Sequence, residues 1–370
     1  MQIKEVFNAE RSLDNKNILV TGGAGFIGSC VVRKLLKETN SKIFNLDKLS
    51  YSSDLTSINN ILNSKNQFLK RYEFIKVDLS DSELTINVIK KVDPDIVIHL
   101  AAESHVDRSI DSPKAFIMSN FVGTFNLLEA VRNHYNKLNL DRKEKFIFHH
   151  ISTDEVFGSL GKEGKFSEQT KYDPRSPYSA SKASSDHLVN SWFHTYNLPT
   201  LITNCSNNFG PWQFPEKLIP LVINKAINNE SIPLYGDGLN VRDWLYVEDH
   251  VDAIFLAIKS GSVGQKYCIG GFGEKTNKFV VEKICVLVDE YKSLNTSCKS
   301  LISLVKDRPG HDFRYSIDSS LIQEQLNWRP KFSFEKALRR TVFWFLDNQD
   351  WCKRVCSRSG YKYNRIGIKN

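Results

Sequence analysis

The chain has 370 residues, of which 41% are hydrophobic and 25% are charged, and its formal net charge is +8. These proportions exclude a disordered or fibrous chain and predict a folded protein with two substructures or one large α/β unit. The basic residues are scattered along the chain, which favours a few contacts with anions over a nucleic-acid surface. The seven cysteines include no C-x-x-C pair, which argues against a disulfide framework or a zinc cluster.

The N-terminal residues MQIKEVFNAERSLDNK lack the apolar core of a secretion signal, and no stretch approaches the length of a membrane span. We therefore expect a cytoplasmic protein with no membrane contact.

Short apolar runs alternate with helical patterns in the first half of the chain. Strands are predicted at NILVTGG, KIFNLD, YEFIKVD, DIVIHLAA and KFIFHHIST. Helices are predicted at IGSCVVRKLLKE, AFIMSNFVGTFNLLEAVRNHY and YSASKASSDHLVNSWFHTYN. This alternation indicates an α/β fold, a doubly wound parallel sheet of the Rossmann type.

The pattern becomes irregular after about residue 205, where prolines and the turn YGDG interrupt it. We expect a main domain over 16–205, with a return segment near 240–262 that includes the helix VEDHVDAIFLAIKSG. A smaller mixed α/β C-terminal domain is expected over 206–345, and a C-terminal tail over 346–370.

A glycine-rich stretch joins the first predicted strand to the first helix. VTGGAGFIGS contains two overlapping patterns, one beginning at Gly22 and one at Gly23, which share Gly25 and Gly28. In this context the glycines let the backbone approach a pyrophosphate at a helix N-terminus. Asp47 ends the second strand, where a carboxylate can bind both ribose hydroxyls of NAD and would repel a 2′-phosphate. This stretch predicts an NAD site.

The next two predicted strands also end in residues that suit a dinucleotide. Asp78 closes YEFIKVD and could accept a hydrogen bond from the adenine amino group, although a solvated acid at a strand end is an equal alternative. Leu100–Ser104 ends the following strand with small side chains, which would let a dinucleotide lie close to the sheet.

The stretch HHISTDEVFG places a hydroxyl and two acids at the end of a predicted buried strand. Adjacent carboxyl groups in a partly dry site tend to separate their pKa values, so that one is protonated while the other is ionised. Because neighbouring strand residues point to opposite faces, Asp154 and Glu155 could reach one ligand only where the strand has ended. The alternative is a solvated loop acid followed by a helix cap.

The stretch SPYSASKASSD predicts a helix start with Ser176 as N-cap and Pro177 at the first helical position. Tyr178 and Lys182 then share one helix face, and the ammonium is expected to lower the pKa of the phenol. Beside an NAD site, this pair predicts a tyrosine that takes the proton from a hydroxyl while hydride leaves the carbon. An ordinary surface pair is the alternative.

Together, the segments TGGAGFIG, DKLSY, HLAAESHVDRS, STDEVFG and YSASKASSD resemble the extended short-chain dehydrogenase/reductase family. Three downstream segments, NCSNNFGPWQFPEKLIP, YGDGLNVRDWLYVEDH and DRPGHDFRYSID, are similar to those of its nucleotide-sugar branch, the dTDP-glucose 4,6-dehydratases. The likeness runs from about Lys16 to near the C-terminus.

This resemblance implies a hydro-lyase of deoxysugar biosynthesis that converts dTDP-glucose to dTDP-4-keto-6-deoxyglucose and water. NAD oxidises the sugar at C4, water is eliminated across C5 and C6, and the hydride returns to C6, so NAD is expected to stay tightly bound. By position, Thr153 binds substrate, Asp154 is the general acid and Glu155 the general base. Tyr178 is the base for the C4 hydroxyl, and Lys182 is its electrostatic and ribose partner.

The resemblance also implies the binding residues, NAD in the first domain and the nucleotide sugar in the second. The cofactor contacts are Gly22, Gly25, Phe26, Ile27, Gly28, Asp47, Lys48, Leu49, Ser50, Asp78, Leu79, Leu100, Ala101, Ala102, Ser104, Ser119, Tyr178, Lys182 and Asn208. The substrate contacts are Ser104, Thr153, Asn207, Lys217, Leu218, Pro233, Leu234, Tyr235, Arg242, Asn277, Asp307, Arg308, Pro309, Gly310 and His311. Arg242 and Arg308 are expected to clamp the pyrophosphate.

Several departures and alternatives accompany the resemblance. Phe157 stands where the family commonly has tyrosine, and Trp212-Gln213 stands where Tyr-His is commoner, which bears on the nucleotide base more than on the reaction. Another nucleotide-sugar 4,6-dehydratase, a 4-epimerase or decarboxylase of the same family, and a non-catalytic NAD-binding protein remain alternatives. No metal is expected, because the spacing of the histidines fits no ligand set. The family also implies a homodimer that pairs two long helices from each subunit.

Overall fold

The computed structural model describes residues 10–293, 296–307 and 311–363. The strands are β1 (Asn17–Thr21), β2 (Lys42–Asp47), β3 (Tyr72–Lys76), β4 (Ile96–His99), β5 (Ile147–Thr153), β6 (Thr200–Cys205), β7 (Asn207–Phe209), β8 (Ile232–Tyr235), β9 (Val241–Arg242), β10 (Trp244–Tyr246), β11 (Lys266–Ile269), β12 (Lys275–Thr276) and β13 (Ile302–Val305).

The helices in the described residues are α1 (Phe26–Glu38), α2 (Thr56–Leu62), α3 (Asn66–Leu69), α4 (Ser82–Val92), α5 (Val106–Asp111), α6 (Pro113–Phe116), α7 (Gly123–Lys137), α8 (Leu140–Lys145), α9 (Pro177–Tyr196), α10 (Leu218–Ile227), α11 (Val247–Ser260), α12 (Asn277–Lys292), α13 (Ser320–Leu326), α14 (Phe334–Asp347) and α15 (Gln349–Ser359). A π-helical stretch spans Ile117–Val122, and short 3-10 helices span Asp154–Phe157 and Cys298–Leu301. No helix in these ranges has the combination of length and apolarity that a membrane crossing requires.

The main sheet is parallel throughout, in the order β11-β6-β5-β4-β1-β2-β3. Helices cover both of its faces, which is why its central strands are buried along nearly their whole length. Ile18 and Val20 of β1 face one layer with α1 and α11, while Leu19 faces the other layer with α4, α7 and α9. The predicted doubly wound α/β fold is confirmed.

The predicted return helix is α11, which packs its apolar side into the same core cluster as α1. The chain then continues into β11, the edge strand beyond β6, which the sequence pattern did not predict. Short two-stranded pairings join the remaining strands, β7 with β10, β8 with β13 and β9 with β12.

The stretch after residue 205 is more regular than the sequence pattern predicted. Helices α10, α12, α14 and α15 enclose a separate cluster that includes Val222, Ile284, Val342 and Val355. Pro220 lies in the first turn of α10, where its missing N–H has no partner to lose, so the proline does not end a helix there. The sequence analysis interpreted the prolines as breaks and therefore did not predict α10.

The long helix predicted over 115–135 is instead α6, the π-helical stretch and α7 in succession. The wider π turn places Asn120 inward. Its amide side chain exchanges hydrogen bonds with the backbone of Glu103 at 2.8 and 3.0 Å, and it donates to Ser181 Oγ at 2.9 Å. This bridge fixes the segment after β4 against α9.

Candidate active site

The two adjacent acids lie directly after the end of β5, in the 3-10 helix Asp154–Phe157. Thr153 closes the strand and caps the 3-10 helix, because its Oγ1 accepts the N–H of Glu155 at 3.3 Å. Gly158 then turns the chain at φ +90°, a conformation that favours glycine. The turn carries Asp154 and Glu155 out of the strand at the carboxyl edge of the sheet, and both line one cavity there.

That cavity has a volume of about 340 Å³ and runs along the carboxyl ends of six strands of the main sheet. All five predicted catalytic residues line it: Thr153, Asp154, Glu155, Tyr178 and Lys182. Ligands of doubly wound sheets bind at this edge. The structure therefore brings the proposed acid, base and tyrosine–lysine pair to the same space as the glycine turn.

Asp154 is almost fully buried, at 1% exposure. Its Oδ1 accepts the Thr153 hydroxyl at 3.3 Å, while its Oδ2 has no hydrogen-bond partner among the described residues. Burial, followed by the charges of Glu155 and Asp243, raises the pKa of Asp154 well above its usual range. The protonated form is favoured, which suits a group that must give a proton away.

Tyr178 does not have the lowered pKa that the sequence predicted. Burial, followed by the carboxylate of Glu155, raises the pKa of the phenol well above its ordinary value. The ammonium of Lys182 is bonded to β5, since its Nζ donates to Ile151 O at 2.8 Å and lies 3.3 Å from His150 Nε2. The electrostatic and ribose role of Lys182 stays a prediction.

A buried carboxylate, that of Asp186, contacts His150, whose ring lies beside the ammonium of Lys182. Asp186, one helical turn further along α9, has Oδ1 3.2 Å from His150 Nε2. Its other oxygen accepts the hydroxyls of Ser152 and Tyr172, each at 2.8 Å. Burial would raise the pKa of Asp186, but these partners and His150 outweigh it, and the pKa is lowered. Sequence reasoning missed Asp186, although its spacing of four from Lys182 was a usable signal.

The glycine turn fits the expected pyrophosphate. A Cβ on Gly28 would lie 2.1 Å from Gly22 O, and Gly22 itself has φ +70°. Gly25 caps α1 without any side-chain hydrogen bond, so no side chain competes for the first N–H groups of the helix. The first N–H groups of α1 and the close approach that the glycines allow are what the pyrophosphate of a dinucleotide needs.

Asp47 lines the cavity but also has partners of its own. Its Oδ2 accepts the N–H of Ala24 at 3.1 Å, and its Oδ1 accepts the N–H of Leu49 at 2.7 Å and the hydroxyl of Ser53 at 3.0 Å. Burial raises the pKa of Asp47, and these donors counteract the rise. The carboxylate thus fastens the glycine turn to the loop after β2, a role that the sequence pattern did not predict.

The predicted cofactor residues gather around the cavity with one exception. Leu49 does not line it, because only its backbone N–H turns inward, to Asp47. The residues that do line it are Gly22, Gly25, Phe26, Ile27, Gly28, Asp47, Lys48, Ser50, Asp78, Leu79, Leu100, Ala101, Ala102, Ser104, Ser119, Tyr178, Lys182 and Asn208.

The predicted substrate residues fall into two groups. Ser104, Thr153, Asn207, Lys217 and Leu218 line the cavity. The second group lies on β8, on β9, at the start of α12 and in the loop after β13, and does not line it: Pro233, Leu234, Tyr235, Arg242, Asn277, Asp307 and His311. Arg308, Pro309 and Gly310 lie outside the described residues.

The second group is internally connected. His311 Nδ1 lies 2.6 Å from Asp307 Oδ1, and the ring of His311 stands edge-on to that of Tyr235 at 6.3 Å. Arg242 is 5% exposed, donates to the carbonyl of Asp312 at 2.9 Å and lies over the ring of Tyr315 at 4.4 Å. Its guanidinium is thus pre-positioned by backbone acceptors.

Glu103, Phe214 and Glu216 are among the cavity residues that the sequence analysis did not name. Glu103 Oε1 lies 3.0 Å from Nζ of Lys48, a predicted cofactor residue, and forms an ion pair across the strand ends. Gln213, named above only as a departure from the family, also lines the wall. The sequence signal for Phe214 and Glu216 was their place next to Lys217, in the segment PWQFPEKL.

Four buried histidines predict an acid-labile fold. His99 and His149 bond threonine hydroxyls, while His150 and His250 face Asp186 and Asn208. Burial is the first cause that lowers each pKa, to about 4 for His150 and about 3 for His250. No group of three or more potential ligands in the described residues could hold a metal ion.

Because the unfolded chain binds protons on these histidines at about pH 6.5 and the folded chain does not, stability should fall as pH drops from there toward about 4. Denaturant unfolding at about pH 7 and about pH 5 should show this loss of free energy. His149→Gln should make the pH dependence shallower, whereas His194→Gln, at an exposed position of α9, should leave it unchanged. Identical slopes for wild type and His149→Gln would contradict the explanation.

The family model described as GDP-mannose 4,6 dehydratase matches residues 19–341. A dTDP-glucose 4,6-dehydratase of Neisseria meningitidis serogroup B is 50% identical over 357 residues, which cover 95% of this chain and 99% of that protein.

Two solved structures show the same relationship. The dTDP-glucose 4,6-dehydratase of Bacillus anthracis, solved in complex with NAD, is 43% identical with a TM-score of 0.79 and covers 91% of this chain and 99% of that one. The dTDP-glucose 4,6-dehydratase of Streptomyces venezuelae, also solved with NAD bound, is 37% identical with a TM-score of 0.81, and the shares covered are again 91% and 99%. The chain therefore belongs to the nucleotide-sugar 4,6-dehydratase family, in which these relatives are dTDP-glucose 4,6-dehydratases.

Proposed function

We propose that this protein is an NAD-dependent dTDP-glucose 4,6-dehydratase, a hydro-lyase that forms dTDP-4-keto-6-deoxyglucose and water in deoxysugar biosynthesis. The observation that carries the proposal is the meeting of Asp154 and Glu155 with Tyr178 and Lys182 in one cavity beside the glycine turn. A dehydration needs an acid and a base together, and the relatives described above carry this activity in their names.

NAD would lie against Gly22, Gly25 and Gly28 with its ribose near Asp47, and when bound it supplies a hydride acceptor for C4 and a hydride donor for C6. Tyr178 would take the proton of the C4 hydroxyl while C4 gives up its hydride to that acceptor, and loss of both leaves a ketone at C4. The ketone makes the C5 proton acidic, and we assign its removal to the carboxylate of Glu155.

Asp154 gives its proton to the C6 hydroxyl while the C5–C6 double bond forms and the C6–O bond breaks, so water leaves. Glu155 then returns a proton to C5. The proton that Tyr178 gains balances the one that Asp154 gives, so the two groups need only exchange a proton with solvent between turnovers. The raised pKa of Asp154 supports its part as the acid.

The nucleotide sugar is proposed to contact Ser104, Thr153, Asn207, Lys217 and Leu218 along the cavity. Asn207 Oδ1 supports this, since it is buried without a hydrogen-bond partner in the described part of the chain. Arg242 is proposed to bind the pyrophosphate, because a guanidinium fork matches phosphate oxygens. The other members of the second group are proposed to surround the nucleotide.

The test is incubation with dTDP-glucose deuterated at C4. We expect a product lighter by one water that carries the deuterium at C6, without added reductant. A product of unchanged mass with altered stereochemistry would favour 4-epimerisation, and loss of carbon dioxide from a uronic-acid substrate would favour decarboxylation. Binding of NAD without turnover of any nucleotide sugar would favour the non-catalytic alternative.

We further propose a cytoplasmic homodimer, divided into an NAD domain at 16–205 with the return segment 240–262, a sugar domain at 206–345 and a tail at 346–370. All seven cysteines are free, which suits a reducing compartment. Ile117, Met118 and Phe125 are exposed on the proposed dimer helices, and sedimentation tests the assembly. The separate core cluster behind α10 and α12 supports a second domain, and it also contains Trp351 and Val355 from the segment assigned to the tail.

A further inference from the structure

Glu216 is a carboxylate that lines the cavity without belonging to the proposed chemistry. Its side chain is 2% exposed, so its charge needs partners inside the protein. Tyr51 donates its hydroxyl to Oε1 at 2.6 Å, and Arg108 donates Nε–H to Oε2 at 2.8 Å. Each carboxylate oxygen is thus held by a different segment of the chain.

The donors also hold each other. The guanidinium of Arg108 lies 3.8 Å from the ring centroid of Tyr51, and the ring of Tyr51 packs edge-on against Phe214 at 5.5 Å. Burial and then the charge of Glu216 raise the pKa of Tyr51, so the phenol keeps the proton that it donates. We call Tyr51, Arg108 and Glu216 the latch.

The latch joins two loops that both contribute residues to the cavity wall, the loop after β2 and the loop before α10. Tyr51 directly follows Asp47–Ser50, the stretch expected at the ribose. Glu216 directly precedes Lys217, whose Nζ donates to the carbonyl of Ser104 at 2.9 Å. Arg108 of α5 ties both loops to the segment after β4. These bonds restrain both loops beside the cavity.

Moving either loop would break a charge-assisted hydrogen bond of the buried carboxylate and leave at least one of its oxygens without that donor. Such bonds are stronger than neutral ones, and an unpaired buried charge is unfavourable. We propose that Glu216 is a positioning residue that keeps the dinucleotide in place, because the latch holds the two loops closed across it. The identity of the dinucleotide rests on the proposed function.

Retention matters for the proposed reaction, because the sugar is oxidised and reduced within one turnover. If the reduced dinucleotide escaped between these steps, a keto sugar would be left without the hydride that completes the product. A latch on the loops would prevent this loss without contacting the reacting carbons.

The experiment measures the rate at which bound NAD leaves the purified protein, by chase with labelled NAD in the absence of any sugar. Tyr51→Phe removes one hydrogen bond and keeps the ring under Arg108, and Glu216→Gln removes the charge. We expect about a ten-fold or greater increase in the release rate for each, as for loss of a hydrogen bond to a charged group. Turnover of both variants should recover when free NAD is added.

Glu290→Gln is the matched control, since it breaks an exposed ion pair with Arg339 between α12 and α14. It should leave the release rate unchanged. The double variant Tyr51→Phe/Glu216→Gln should release NAD about as fast as the faster single variant, because the groups act as a unit. Wild-type release from folded Tyr51→Phe would overturn the proposal, even if Glu216→Gln does not fold.

The test of the latch can be distinguished from the test of the proposed function. If wild type retains NAD but does not dehydrate dTDP-glucose, the function fails and the latch stands. If wild type dehydrates the sugar and the latch variants hold NAD as firmly as it does, the latch fails and the function stands.

Discussion

Glu155→Gln is expected to oxidise the sugar at C4 but to stop before water leaves. The amide keeps the size of the side chain and cannot accept the C5 proton, so the overall rate should fall by about 10²- to 10⁴-fold. The reduced cofactor and the 4-keto sugar should therefore accumulate on the enzyme. Near-ultraviolet absorbance follows the cofactor, and the mass of the sugar shows whether water has left.

Exchange of the C5 proton with deuterated solvent measures removal of that proton separately from the loss of water. Wild type should exchange it and Glu155→Gln should not, whereas Asp154→Asn should still exchange it while losing water slowly. Glu163→Gln is the control, because Glu163 is exposed in the loop that follows the 3-10 helix. Normal exchange in Glu155→Gln would show that another group is the base.

The local parts of the fold and site were predictable from sequence. The glycine turn and the cap of α9 by Ser176 each depend on residues close together in the chain, and the structure has them where the patterns indicated. Strands β1 to β5 were also predicted, although β3 ends at Lys76 and β4 at His99, slightly earlier than expected. The turn that carries Asp154 and Glu155 out of β5 was likewise predicted, since alternation along a strand forbids both acids from facing one ligand.

Features that depend on distant residues were not predictable. The partners of Glu216 come from Tyr51 and Arg108, far away in sequence, and no periodicity signals such a contact. Helix spacing placed Lys182 on the face of Tyr178, but the ammonium bonds Ile151 O in β5. The direction of the tyrosine pKa depended on burial and on the carboxylate of Glu155, neither of which the spacing of two residues contains.

The helices after residue 205 were missed for a related reason. Their apolar faces bury one another in a cluster separate from the main sheet, so tertiary packing rather than a strong local signal stabilises them. Trp212, for example, meets Trp344 of α14 at 4.7 Å and Trp351 of α15 at 5.3 Å. The departure from the family at Trp212 thus sits in an aromatic contact between the 210–217 loop and the C-terminal helices.

Tyr178→Phe is expected to fail one step earlier than Glu155→Gln. Without the phenol, no described residue in the proposed scheme takes the proton of the C4 hydroxyl, so neither the keto sugar nor the reduced cofactor should form. The rate of C4 oxidation should fall by about 10²- to 10⁴-fold, while bound NAD per protein stays at the wild-type level. Single-turnover absorbance on mixing with dTDP-glucose measures this directly.

The raised pKa of Tyr178 gives the test a second readout. A base with a raised pKa is mostly protonated at neutral pH, and its ionised fraction grows about ten-fold for each unit of rising pH. Wild-type C4 oxidation should therefore accelerate as pH increases, and the residual rate of Tyr178→Phe should not.

Tyr196→Phe is the control, because that tyrosine is exposed at the end of α9, does not line the cavity, and its ring, which the substitution keeps, contacts Arg132 and Trp192. Reduced cofactor forming at the wild-type rate in Tyr178→Phe would remove the tyrosine from the first step. Since Glu155→Gln should accumulate the reduced cofactor and Tyr178→Phe should never form it, the two variants assign the order of proton transfers independently of any product assay.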